Sequence, residues 1–149
     1  MIRHPWGAAA AAALLAATVA FSTPAAKPPT VVVYKNPSCG CCGQWVEHMQ
    51  TNGFRVTVID TSYMEPIRAR HGVRPHLASC HTAKVGGYVI EGHVPADLVT
   101  KLLAERPNVV GLSVPGMVTG SPGMDGPNPR HYDVVSFDRN GKTAVYARR

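Results

Sequence analysis

Three cysteines fall within four residues, Cys39-Gly40-Cys41-Cys42, and the chain on either side restricts what they can belong to. Before them, Thr30-Val-Val-Val-Tyr-Lys35 is β-branched and aromatic and stops at Asn36-Pro37-Ser38, the pattern of a buried strand. After them, Trp45, Val46 and Met49 fall three and four apart and the run ends at Asn52-Gly53, the spacing of a helix from Cys42 to Asn52 with a stop. The thiols therefore lie at a strand-to-helix turn, with Ser38 placed to cap the helix.

The same kind of reading continues along the chain. A second strand runs from Phe54 to Ile59 and a short helix from Ser62 to Arg70, ahead of Gly72. Leu77 to Val85 and Tyr88 to Ile90 flank Gly86-Gly87 and predict a hairpin. Pro95 opens a helix that Ala96 to Glu105 carries, with Leu98, Leu102 and Leu103 on its apolar face. The order strand, helix, strand, helix, strand, strand, helix predicts an α/β fold with a thioredoxin-like layer. Val109 to Met124 is rich in Gly, Pro and Ser and reads as an ordered loop. Val134 to Asp138 and Thr143 to Ala147 predict a terminal hairpin turning at Asn140-Gly141.

The first residues are of a different kind. A basic start, an apolar run from Ala8 to Phe21 and small residues from Ser22 to Ala26 form the pattern of a secretory signal peptide. That run is short of the roughly 20 apolar residues a membrane-spanning helix needs. The expectation is a leader over residues 1–26 and one metal-binding domain over 27–149 in the periplasm, touching a membrane only if the leader stays uncleaved. The net charge of +6 comes from scattered Lys and Arg, with no run longer than Arg148-Arg149, so the basic balance does not make a nucleic-acid face.

Export changes how the cysteines are read, because outside the cytoplasm an even number usually means structural disulfides. Cys39 with Cys42 and Cys41 with Cys80 would be the pairs, but a bridge across two intervening residues restrains the unfolded chain little. At a helix start the backbone N–H groups and the macrodipole favour thiolate at Cys42 and its neighbours, and Gly40 and Gly43 let the sulfurs converge. Zinc sites tend to use a second Cys-x-x-Cys knuckle, where this chain has only Cys80-His81. Soft thiolate and thioether donors select Cu(I), and clustered cysteines can bridge more than one ion, although Ag(I) would be held in the same way.

The candidate ligands are thus Cys39, Cys41, Cys42 and Cys80, with His81, His48, Met117 and Met124. On an ideal strand His81 points away from Cys80, so only a bulge or a strand end puts both on one site. His48 follows Cys42 on the predicted helix, where it can equally be a surface side chain, and Met49 beside it is a core candidate. Met117 and Met124 lie in a Gly-rich loop where helical packing does not account for them. His71, His76, His93 and His131 have no spacing partner that singles them out.

Taken together, Asn36-Pro-Ser-Cys-Gly-Cys-Cys-Gly43, Trp45, His48, Ser79-Cys-His-Thr-Ala83, Gly92-His-Val-Pro95 and Gly116-Met through Gly120-Ser-Pro-Gly-Met124 resemble a family catalogued as a domain of unknown function. That family includes the periplasmic CopG-type copper proteins, which are unrelated to the repressor of the same name. The likeness runs from Val31 to about Val145. It implies a thioredoxin-like fold, a copper site on the cysteines, and a part in copper resistance that extends to redox chemistry. By position, Cys39, Cys41, Cys42, Cys80 and His81 fit its metal-site motifs, and Met117 and Met124 its late loop; Val118 departs from it, standing where the family often has Pro.

The competing reading is a thiol-disulfide oxidoreductase on Cys39 and Cys42, with Pro75 open to the cis form of a thioredoxin-like fold. A third thiol at Cys41 weighs against it, because it would divert the mixed disulfide. An enzyme of the first kind would be a copper oxidoreductase. The partners implied are copper ions, periplasmic copper-handling proteins and a thiol reductant.

Overall fold

A computed structural model describes residues 27–149; the expected leader, residues 1–26, lies outside the described residues. The structure is organised around β1 (Thr30–Lys35), whose Val31 and Val33 are fully buried. It pairs in parallel with β2 (Arg55–Asp60) and antiparallel with β3 (His81–Val85). The parallel pairing requires a crossover, and α1 (Gly40–Thr51) supplies it. After α2 (Met64–Arg70), β3 turns at Gly86-Gly87 into β4 (Tyr88–Glu91). Then come α3 (Ala96–Glu105), β5 (Gly111–Ser113), β6 (Asp133–Phe137) and β7 (Thr143–Arg148). The seven strands form one sheet in the order β2-β1-β3-β4-β5-β6-β7.

Both faces of the sheet are covered. Trp45, Val46 and Met49 of α1 and Leu98, Val99 and Leu102 of α3 pack with Val31, Val33, Ile90, Leu112 and Val134 in the larger core. A smaller core joins Val73 and Leu77 to Val89 and Phe137. Alternation along β4 assigns Tyr88 and Ile90 to the first and Val89 to the second. Each large apolar side chain buried this way contributes about 1.5–3 kcal/mol. The predicted helical spacing of Trp45 and Met49 is thus a core face, with the Trp45 indole N–H donating to the Val94 carbonyl at 2.9 Å.

Several boundaries differ from the sequence reading, and each has a physical cause. Residues 77–85 are not one strand: Pro75–Leu77 is a single 3-10 turn, and the strand begins only at His81. Pro75 brings no N–H to a ladder, and both backbone polar groups of Ser79 are taken by side chains instead of by a neighbouring strand. The stretch read as loop after Val109 contains β5, three residues long and led by a glycine, too short for a period to show. A Cβ on Gly111 would stand 1.8 Å from the Val89 carbonyl oxygen, so only glycine fits that pairing.

Ser38 does not cap α1. Its N–H and hydroxyl both bind the Asn36 Oδ1, and Cys39 occupies the N-cap with no side-chain bond. Pro95 precedes α3 as its N-cap and is not its first helical residue. Every peptide bond among the described residues is trans, Pro75 included. No helix among the described residues is long and apolar enough to cross a membrane.

Candidate metal centre

Because α1 begins at Gly40, Cys41 and Cys42 both fall in its first turn, with Cys39 immediately ahead. Cys39 and Cys42 are joined as a disulfide, while Cys41 and Cys80 are free thiols. Cys41 Sγ stands 3.5 Å from Cys39 Sγ and 3.9 Å from Cys80 Sγ, and all four sulfurs lie within 4.8 Å of one another. Cys42 is fully buried, its sulfur 3.7 Å from the Cys80 carbonyl oxygen, whereas the other three are half-buried.

Cys80 comes immediately before β3, and this strand-end position resolves the geometric objection to His81. Cys80 Sγ is 3.5 Å from His81 Nδ1 and 2.8 Å from His93 Nε2, so Cys80, His81 and His93 form a second convergent group sharing one sulfur with the first. His93 escaped the sequence reading because its placement depends on the turn after β4. Gly92 adopts φ +71, and a Cβ there would meet the Ser79 hydroxyl at 2.4 Å and the Val114 carbonyl at 2.8 Å. The signal in the chain was the stretch Gly92-His-Val-Pro95, one of those that carry the family resemblance, although no spacing partner marked its histidine as a ligand.

The histidines are held as neutral donors. The Pro122 carbonyl, 2.7 Å from His93 Nδ1, can only accept, so that nitrogen carries the hydrogen and Nε2 presents its lone pair to Cys80 Sγ. Burial lowers the His93 pKa, partly opposed by that carbonyl. His81 is fully buried between Trp45 and His93, at ring-centroid distances of 4.4 and 5.0 Å. Burial first, then neighbouring His93, keeps its pKa well below the usual histidine range. Its Nε2 has no hydrogen-bond partner although it is buried. Burial and the adjacent Cys41 push the Cys80 thiol up to about 12, so binding of a metal there must displace a proton.

The Gly-rich loop covers this group. Gly123, at φ +81, sits so close to the first turn of α1 that a Cβ would lie 2.7 Å from the Trp45 nitrogen and 2.9 Å from the Cys41 carbonyl oxygen. The same loop brings Pro122 to His93. Met117 on it is 59% exposed, and Met124 is half-buried with its N–H bonded to the Ser121 carbonyl. His48 stands apart from the converging donors: its Nε2 accepts the Ala96 N–H at 3.1 Å and so caps α3.

The donor set is soft. Four sulfurs and two neutral imidazoles suit copper better than hard cations, which take oxygen ligands. His81 Nδ1 and His93 Nε2, at 3.5 and 2.8 Å from the same Cys80 sulfur, fit a group that accepts nitrogen donors. Use of all four sulfurs requires the Cys39–Cys42 bond to be reduced.

Residues 77–124 match the family model described as "Protein of unknown function, DUF411". The solved structure described as "Copper resistance protein copG- Form 2" is 41% identical, has a TM-score of 0.78, and the match covers 82% of this chain and 98% of that one. This chain belongs to the DUF411 copper resistance family. A second structure, "Copper resistance protein copG- Form 1", gives the same identity and coverage with a TM-score of 0.77. A search of curated protein sequences finds no match. The stretch matched by the DUF411 model holds Cys80, His81, His93, Met117 and Met124, while the Cys39 to Cys42 cluster lies ahead of it.

Proposed function

We propose that this chain is a periplasmic copper(I)-binding protein of copper resistance, exported by the leader over residues 1–26, with copper held on Cys39, Cys41, Cys42, Cys80 and His81. The observation that carries the reading is the convergence of four sulfurs within 4.8 Å, one of them shared with two neutral histidines. Cu(I) is content with two or three soft ligands, and sulfurs this close can bridge, so the site takes more than one ion. His93 joins the ligand set on its geometry, and Met117 and Met124 are thioether donors on the covering loop. His48, with its Nε2 engaged by α3, keeps the role of a helix cap.

Copper is cargo here, and the cysteine pair can also change its oxidation state. Two thiolates, Cys39 and Cys42, give one electron each to two Cu(II); the products are two Cu(I) and the Cys39–Cys42 disulfide. A thiol reductant or a copper-handling protein of the periplasm would close that cycle.

The disulfide between Cys39 and Cys42 favours a second reading, thiol-disulfide exchange with another protein. Cys41 Sγ, 3.5 Å from Cys39 Sγ, stands ready to attack any mixed disulfide formed on Cys39. A Cys41→Ser variant separates the two readings. Loss of Cu(I) binding in that variant supports the copper site, whereas retained Cu(I) binding with faster disulfide exchange would favour the oxidoreductase.

A further inference from the structure

Glu91 at the end of β4 is completely buried and Arg68 on α2 is 9% exposed, and their hydrogen bonds go to one another, Glu65, Ser79 and Thr82 rather than to a sulfur. Arg68 Nε donates to Glu91 Oε1 at 3.0 Å. The same oxygen accepts the Ser79 N–H at 2.7 Å, and Oε2 accepts the Thr82 hydroxyl at 2.6 Å. Arg68 Nη2 donates to the Ser79 carbonyl, and Nη1 binds Glu65 at 2.8 Å. The pair therefore holds both backbone polar groups of Ser79, the residue before Cys80.

A buried ion pair of this kind is poor evidence of stability, since apolar residues of the same volume serve as well or better. What it does here is fix direction. Thr82 stands opposite Glu91 in the β3–β4 ladder, and His81 stands opposite Lys35 in the β1–β3 ladder. Cys80 is thus suspended between a clamped Ser79 and a registered His81. Ser79 also donates through its hydroxyl to the Gly116 carbonyl, and the Gly116 N–H binds the Ala78 carbonyl, so the covering loop hangs from the same segment.

We propose that Arg68 and Glu91 are positioning residues of the copper centre, a buried clamp on Ser79 that aims Cys80 Sγ at Cys41 and His93; this rests on the cysteines being the copper site. Outer contacts of this type around metal ligands are worth about 10–100-fold in metal affinity.

The test uses Glu91→Gln, together with the double variant Arg68→Met/Glu91→Gln, which leaves no unpaired charge in the interior. Near-UV circular dichroism identifies the folded variants. In the reduced, metal-free protein, iodoacetamide alkylation of each cysteine is followed by mass spectrometry. In parallel, anaerobic Cu(I) is titrated against a competing chelator while the near-UV thiolate-to-copper absorption is recorded.

The expected result is a severalfold change in the alkylation rate of Cys80 without a matching change at Cys41, about tenfold weaker Cu(I) binding, and the absorption of a Cys80→Ser protein. A folded variant with wild-type Cys80 reactivity and a wild-type copper spectrum would overturn the proposal. So would failure of both variants to fold, since the pair would then be part of the core. Should the wild-type protein bind no Cu(I), the copper reading itself fails, and the alkylation rates still decide for or against the clamp.

Discussion

Cys80 Sγ lies 2.8 Å from His93 Nε2, and the opposite nitrogen of that ring faces the Pro122 carbonyl at 2.7 Å. One contact aims the imidazole and the other gives it something to act on. His93→Ala removes both, leaving the Pro122 carbonyl without this donor and the Cys80 thiol without its shortest contact. We expect Cu(I) affinity to fall by about 10–100-fold, measured by chelator competition. An unchanged affinity would remove His93 from the centre.

Gly123→Ala tests the loop independently of metal. The site has φ +81, and an added Cβ would stand 2.7 Å from the Trp45 nitrogen. The left-handed conformation alone costs a non-glycine residue roughly 1–2 kcal/mol, and contact with the backbone adds to it. Urea unfolding should show at least about that loss. Copper binding should weaken too, because displacement of the loop frees His93.

His48 contributes to the acid side of the stability profile, alongside His71, His81 and His93, whose pKa values burial lowers in the same way. Burial lowers the His48 pKa in the folded protein, with Asp97 and Asp125 opposing, and its Nε2 must stay unprotonated to accept the Ala96 N–H. The unfolded chain takes up the proton at about pH 6.5 and the folded protein only at a lower pH, so this contribution is full above about 6.5 and is lost as pH falls from there through the lowered folded value. Glu91, whose pKa burial raises, works in the opposite sense. Unfolding of the metal-free protein between pH 7.5 and 5.5 should therefore show a shallower loss in His48→Gln, which keeps an acceptor but does not titrate. Equal slopes in the two proteins would refute this role.

Trp45 offers an optical readout. Its ring lies 4.4 Å from that of His81, and of the two tryptophans in the sequence the other, Trp6, lies in the expected leader. Cu(I) added to the reduced protein should quench Trp45 emission in proportion to binding, and Cys80→Ser should blunt the response. Emission that ignores copper while copper is bound would place the ions away from His81.

What could be read beforehand was what local pattern encodes. The β-branched run from Thr30, the spacing of Trp45, Val46 and Met49, and the Gly86-Gly87 turn each determine an element within a few residues, and those elements stand in the structure. The closeness of Cys39, Cys41 and Cys42 needs no folding at all. What could not be read depends on contacts across the fold. Cys80 sits at a strand end because Ser79 bonds to Glu91 and Arg68, and Glu91 lies 12 positions further along the chain. His93 reaches the site only through the turn at Gly92 and the loop carbonyl of Pro122, and His48 is drawn to Ala96 across 48 positions. In each case residue type was visible and partner was not.

The most direct test of the account is anaerobic Cu(I) titration of the fully reduced protein against a calibrated chelator, with free thiols counted before and after. The account predicts tight binding of more than one Cu(I), protection of Cys39, Cys41, Cys42 and Cys80 together, and collapse of binding when the Cys39–Cys42 disulfide is restored. Weak binding that leaves Cys41 and Cys80 freely reactive would contradict it.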